Sequence, residues 1–515
     1  MFGKPSVRKA IAIGTVLLTL AVACSQGNSA HTAVSDSARA TPAPAEDPTS
    51  ARATPAPDAA PAPEFATVSK LMNDAIAAHR LPGAVVVIGH GGKIVFHQAF
   101  GSRKLAGEPG LDGSPAPAEP MTEDTVFDMA SLTKCLATAT AVMQLYEQGK
   151  VAFDDPVQTY LPDFNTANDP QRAKVTVRML LTHTSGIAGD TGDVSLKDPW
   201  GLDGADKTEG IHRALTTPLQ SGPGEVFRYA DINYVLLGAL IEKVTGEAED
   251  AYVQQNVFAP LGMADTHYLP PAKACGPHTM RGAAIAWAPA PEGRALVACP
   301  AGRTWSTSLL SRIAPTTHDD ESKTDPSKNP DYDYLLRGTV HDPTARRMGG
   351  VAGHAGVFST AHDVSLYAQA LLDRLADRPS SFPLKQATLE LMTTPQQPGH
   401  TAEQLDAANR ASREAIAKTP NKTDPLLAPR YPAINGQNLR GFGWDIDTAY
   451  SVRGKIFPIG SFGHTGYTGT TLWIDPGSDT YVILLANSIH PRDNLPPITN
   501  LRGEVATATA QALRL

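Results

Sequence analysis

Hydrophobic side chains recur along this chain with two periods, and the period changes with position. In "FATVSKLMNDAIAAHRLPG" they fall at Phe65, Val68, Leu71, Met72, Ile76 and Ala77, which is helical spacing, and Pro82-Gly83 stops it. Next, "GAVVVIGHGGKIVFHQAFG" predicts a strand, a Gly91-Gly92 turn and a second strand. The far end has the same look. "TTLWIDPGSDTYVILLANS" predicts two strands around Pro476-Gly477, and a last helix runs from roughly Pro497 to Leu513. Between the ends the helical period dominates. "SLTKCLATATAVMQLYEQGK" carries Leu132, Cys135, Leu136, Ala139, Val142, Met143 and Tyr146 on one stripe and stops near Gly149. "INYVLLGALIEKVTG" is a second such helix with its own glycine stop.

Strands at both ends and helices between them predict an α/β fold of the α+β type. One antiparallel sheet is built from both chain ends with flanking helices, and a mainly helical subdomain is inserted in the connection. Two polar stretches, near 272–340 and 397–430, interrupt the pattern and are expected as insertions on the rim of a domain spanning 64–515.

The first residues follow another logic. Lys4, Arg8 and Lys9 precede "AIAIGTVLLTLAVA", an apolar run of export-signal length that is short for a bilayer span. It ends in "LAVAC", which resembles a bacterial lipobox with Cys24 as the lipidated residue, although Ala21 stands where leucine is commoner. Residues 1–23 are thus expected as a lipoprotein signal. Residues 24–63, rich in Ala, Pro, Ser and Thr, are expected as an extended tether, because they offer little surface to bury. Export and a lipid anchor to the bacterial envelope, on the periplasmic side or the cell surface, follow as expectations. The same context makes a Cys275–Cys299 disulfide plausible, while Cys135 reads as a small core residue. A net charge of −8 argues against a nucleic-acid partner, and nothing in the sequence calls for a cofactor or a metal.

Three stretches carry candidate chemistry. In "FDMASLTKCLAT", Ser131 and Lys134 lie about one helical turn apart, so an amine can sit beside a hydroxyl that needs a base. The spacing alone is weak, for Ser6 and Lys9 repeat it in the export signal; a helix cap and a solvated lysine explain it equally. In "PGEVFRYADINYVLLG", Tyr229 can relay a proton, and Asp231 stands where a helix cap or a site residue belongs. In "FGHTGYTGTTLWIDP", His464, Thr465 and Gly466 open a strand. Gly466 would let a ligand approach the strand, and the N–H of Tyr467 can form an oxyanion hole with that of Ser131.

Taken together, Ser-x-x-Lys, Tyr-x-Asp and His-Thr-Gly in this order resemble the class C β-lactamase-like serine hydrolases, with their penicillin-binding protein, D-aminopeptidase and esterase relatives. "VTVRMLLTHTSGI" (175–187) and "MGGVAGHAGVFSTAHDVSLYAQALL" (348–372) add to the likeness, which covers about 65–515. The resemblance implies that Ser131 is acylated, that Lys134 and Tyr229 share the base work, and that the N–H groups of Ser131 and Tyr467 hold the oxyanion. Asp231, His464, Thr465 and Gly466 would meet the substrate; His183 and His354 read as structural. Two positions depart from the β-lactamases proper, which usually carry Lys at His464 and Asn at Asp231. Both changes weaken binding of an anionic β-lactam. The expected activity is serine hydrolysis of an ester or a D-amino-acid-containing amide, with a cell-wall fragment as one candidate. The alternatives are a low-turnover penicillin-binding protein or β-lactamase of the same fold, and a non-catalytic binding module. No Gly-x-Ser-x-Gly elbow and no His-Glu-x-x-His pair occurs.

Overall fold

A computed structural model describes residues 63–189, 200–201, 204–286, 288, 299–300, 304–398, 402–418, 431–492 and 497–515. The expected signal, most of the tether, and Cys24 lie outside them. The first helix, α1 (Ala66–Ala77), leads into β1 (Gly83–His90) and β2 (Lys93–Lys104), joined by Gly91-Gly92 with φ of 58° and 77°. Two successive positive φ values suit a tight hairpin whose twist matches its strands, which is why glycines stand there. A short β3 (Glu119–Pro120) continues that edge. The other strands come from the far end: β4 (Leu439–Arg440), β5 (Asp445–Asp447), β6 (Phe462–Thr465), β7 (Thr471–Asp475) and β8 (Thr480–Ala486). The eight form one antiparallel sheet in the order β4-β5-β6-β7-β8-β1-β2-β3. The two chain ends meet where β1 pairs with β8, Ala84 opposite Ala486.

Strand alternation sorts side chains onto two buried faces. Ala84, Val86 and Ile88 of β1 and Val482 and Leu484 of β8 face Val68 and Met72 of α1 and the last helix, whose Leu501 and Val505 join them. Val85, Val87, Ile483 and Leu485 face a larger core containing Leu132, Val142, Leu236 and Leu371. A sheet covered on both faces explains why β1 and β8 read as nearly unbroken apolar runs. The helical half supplies α2 (Thr140–Glu147), α3 (Asp231–Thr245) and α4 (Ala361–Leu375); the last helix is α5 (Thr499–Ala512).

The segment expected on the rim near 272–340 is instead partly interior. Ile285, Trp305, Leu310 and Ile313 belong to the larger core, and Ala274–Cys275 pairs in parallel with Trp305–Ser306. Its polar sequence is buried because its charges are matched. Arg346 reaches Asp319 at 3.0 Å and Glu321 at 2.9 Å, Arg347 also pairs with Glu321, and Asp331 accepts the N–H groups of Ala283 and Ala284. The expected Cys275–Cys299 disulfide is present, and Cys135 is buried and free. The second stretch holds a helix, Ala402–Lys418; its Ala408 is buried and its Asn409 bonds both polar groups of Ile459.

Candidate active site

The turn that carries Ser131 is held from several sides. Ala130 has φ of 47°, an uncommon conformation for a residue with a β-carbon, so the surroundings must impose it. Asp128 accepts the N–H of Ala130 at 2.9 Å and that of His341 at 2.7 Å. Burial pushes the Asp128 carboxyl up to about 6, against the pull of those two N–H donors. Thr468 and Thr470, just past β6, donate hydroxyls to the carbonyls of Asp128 (2.7 Å) and Met129 (3.0 Å). Where one amphipathic helix was expected, the chain forms a tight 3-10 turn (Ala130–Leu132), a π-helical stretch (Lys134–Ala139) and then α2. A π-helical stretch changes the angular spacing of side chains and is common at functional sites.

Lys134 is fully buried. Its Nζ donates to Ser131 Oγ at 2.9 Å and to the carbonyl of His354 at 3.0 Å, and it meets Asp231 Oδ1 at 2.6 Å. The ammonium also lies 5.1 Å from the Tyr229 ring centroid, so the tyrosine stands beside both the lysine and the serine. Burial drives the lysine toward neutrality, but the Asp231 carboxylate and then Tyr229 outweigh it and hold its pKa above the ordinary lysine value. Burial also raises the Tyr229 phenol, opposed by Lys134. The resting site therefore holds an ammonium, a carboxylate and a neutral phenol.

Asp231, expected at a cap or beside substrate, is the first residue of α3, and Ala230 occupies the cap position. Its carboxylate pairs with the buried Lys134 ammonium at 2.6 Å. His464 is buried rather than solvent-facing, and its Nδ1 lies 2.8 Å from the Thr465 carbonyl. A carbonyl only accepts, so the proton sits on Nδ1. Burial, then Arg440 and Lys134, hold the imidazole pKa well below its ordinary value, so the ring is neutral.

Ser131, Tyr229, His464, Thr465, Gly466 and Tyr467 border one cavity of about 280 Å³. Lys134 and Asp231 sit behind its wall. Gly466 borders the space, yet the chain's own packing demands the glycine: a β-carbon there would lie 2.0 Å from Thr470 Oγ1 and 2.6 Å from the Met129 carbonyl. Tyr467 is 61% exposed and stacks on His341 at 5.8 Å. Val452, Ile489 and Ile498 make the far wall apolar.

Sequence reasoning missed two arginines. Arg440 is buried beside the cavity, 5.8 Å from the Tyr229 ring and 3.8 Å from Asp445. Arg502 of α5 donates to the carbonyls of Gly466 (2.6 Å) and Thr470 (3.3 Å), tying the helix to the site strand. The only signal was an arginine inside the apolar "NLRGFGW", and an isolated arginine ordinarily reads as solvated. Asp231, Asp342 and His354 bring donor atoms within 4.8 Å of one another, but Lys134 already pairs with Asp231, and His354 Nε2 lies 2.8 Å from Asp342.

The family description that matches is Beta-lactamase, over residues 66–505. The chain belongs to the beta-lactamase family. Within that family of serine hydrolases, it is 28% identical over 419 residues to an Escherichia coli O157:H7 protein provisionally named D-alanyl-D-alanine carboxypeptidase, covering 79% of each chain. It is 28% identical over 467 residues to the N-acetylmuramyl-L-alanine amidase of Bacillus subtilis strain 168, covering 87% and 88%. Simvastatin synthase from Aspergillus terreus shares the fold at a TM-score of 0.57 and 21% identity, over 87% of this beta-lactamase-family chain and 99% of the synthase.

Proposed function

We propose that the protein is a serine hydrolase that forms an acyl-enzyme on Ser131, cleaving an ester or a D-amino-acid-containing amide such as a cell-wall fragment. It would act from the bacterial envelope, tethered through lipidated Cys24. The observation that carries this reading is the 2.9 Å contact of Lys134 Nζ with Ser131 Oγ at the edge of a cavity also lined by His464, Thr465, Gly466 and Tyr467. The names of the carboxypeptidase and amidase relatives support a cell-wall substrate.

In the proposed reaction, Ser131 Oγ bonds to the substrate carbonyl carbon while its proton passes to neutral Lys134. Tyr229, which stands beside Lys134 and lines the same cavity as Ser131, carries a proton to the departing alcohol or amine. The N–H groups of Ser131 and Tyr467 meet the oxyanion. Water then cleaves the acyl bond and restores the serine. Because Asp231 holds Lys134 protonated at rest, the reactive neutral lysine is a minor form at neutral pH, and the rate should climb as pH rises. A neutral His464 offers no full charge to a carboxylate, which favours esters and amides over anionic β-lactams.

The test is a panel of p-nitrophenyl esters, D-alanyl peptides, a chromogenic cephalosporin and a fluorescent penicillin, each beside Ser131→Ala. Turnover of an ester or D-alanyl peptide that vanishes in the variant is expected. If the variant hydrolyses every compound as well as the parent, the nucleophile is elsewhere.

A further inference from the structure

His183 is a buried histidine that no step above uses. It follows the short helix Val177–Leu181 and has φ of 57°, so the loop is bent to place it. Its carbonyl accepts the N–H of Arg228 at 2.9 Å, and its Nδ1 accepts the N–H of Ala230 at 3.2 Å. The backbone on both sides of Tyr229 is therefore pinned by one residue. The imidazole also stacks on the Tyr229 ring, with centroids 4.4 Å apart and planes 29° apart.

The hydrogen bonds around it fix its tautomer. Ser185 Oγ donates to Asn233 Oδ1 at 2.6 Å, which turns the amide nitrogen of Asn233 toward His183 Nδ1 at 3.3 Å. Two donors, this amide and the Ala230 N–H, converge on Nδ1, so that atom must be an unprotonated acceptor. Burial, with Arg440 and Lys134 nearby, keeps the ring uncharged. A neutral ring stacks on the phenol without adding a third cation beside Tyr229, where Lys134 and Arg440 already lie 5.1 Å and 5.8 Å from the ring.

We propose that His183 is the positioning residue of Tyr229, an acceptor and stacking partner that aims the tyrosine hydroxyl at Ser131 and Lys134. The proposal rests on the role given to Tyr229 above. A hydroxyl displaced by an ångström loses its proton path while substrate still enters the cavity, so the loss should fall on kcat and leave KM unmoved.

The test uses the whole protein and methyl acetate, whose small acyl group makes little demand on the cavity and whose departing alcohol needs the proton Tyr229 carries. His183→Asn keeps an acceptor and tolerates the positive φ but loses the ring; His183→Phe keeps the ring but loses the acceptor. Each is expected to lower kcat by about 10- to 100-fold with KM within about twofold. In a Tyr229→Phe background either change should lower kcat by less than about twofold more, because the group it aims is gone. Ser185→Ala, a milder change that frees Asn233, should give about a 3- to 10-fold loss with the same dependence on Tyr229, and it carries the test if the histidine variants do not fold. Parental kcat in the folded variants, or an equal loss with and without Tyr229, overturns the proposal. Parental activity of Tyr229→Phe alone overturns the role of Tyr229 and this inference with it, an outcome distinct from additive losses in an impaired Tyr229→Phe enzyme.

Discussion

Two clusters of buried charge lie in the helical half, and they are built differently. At the reaction site, Lys134 faces one carboxylate, Asp231, and shares its other contacts with a serine hydroxyl, a phenol and a carbonyl. In the segment beyond residue 304, Arg346 and Arg347 face Asp319 and Glu321, carboxylates matched to guanidiniums. The first cluster spends its contacts on groups that exchange protons, whereas the second spends them on pairing alone. Buried charge marks chemistry when a neutral, reactive group shares the cation, and marks architecture when opposite charges answer one another.

The sharpest way to break this comparison is Lys134→Met. It should lower kcat on the preferred ester or peptide by about 10²- to 10⁴-fold while the variant still folds, the range of a lost general base, as steady-state kinetics will read. In the matched cluster, Arg346→Met should do the reverse. Urea unfolding is expected to show a loss of about 3–5 kcal/mol, since the buried Asp319 and the partly buried Glu321 lose a partner, with kcat per folded molecule at the parental value. Comparable kcat losses in both variants would erase the distinction.

Asp231→Asn sharpens the reaction side. The Asp231 carboxylate holds the Lys134 pKa up, so removing its charge must lower that pKa. The rising limb of kcat/KM should therefore move to lower pH, and a limb that stays in place would separate Lys134 from the base role.

The smallest effect is expected between the two clusters. Asp342 caps the short helix Pro343–Arg347, which carries Arg346, and bonds His354, whose carbonyl holds Lys134. Against the pull of burial, Asp342 raises the His354 pKa above 6.5, and His354 depresses that of Asp342 below 3.8. The raised histidine stabilises fully below 6.5, and that contribution fades as pH climbs through its folded value. The depressed aspartate stabilises above 3.8, and that part fades as pH falls through its folded value. The pair is thus strongest between those bounds. Asp342→Asn, which keeps an acceptor for the cap, should lose about 1 kcal/mol near pH 5 and progressively less toward pH 9 in thermal melts.

Much of this was legible in the sequence, for identifiable reasons. Strand and helix periods in 65–104 and 471–486 translated directly into α1 and the sheet, whereas the helical stripe of 131–149 became a 3-10 turn, a π-helical stretch and a short α2, buried on every side and bent to place Ser131 and Lys134. Ser131, Lys134, Tyr229 and His464 could be nominated because their order along the chain is itself a pattern. The burial of Asp319 and Glu321 was not legible, since their partners lie some 25 residues on, in a helix of five residues. Nor was the reason for Gly466, which lies in the backbone of Met129 rather than in a ligand. Arg440 and His183 look ordinary in one dimension, because only the folded chain brings them against Tyr229.

The pairing of β1 with β8 sets the order in which the protein can become active. The hairpin Gly83–Lys104 is translated well before its partner strand Thr480–Ala486, and His464 precedes that strand only slightly. Until Thr480–Ala486 arrives, one long edge of β1 has no neighbour and its apolar faces no complete cover. Folding of the sheet is therefore governed by contacts between segments far apart in sequence, which are slow to form. Ribosome-stalled chains ending before Thr480 should accordingly be cut by protease within Gly83–Lys104, and chains released whole should resist. The serine is made long before that strand, and its activity waits for the strand to arrive.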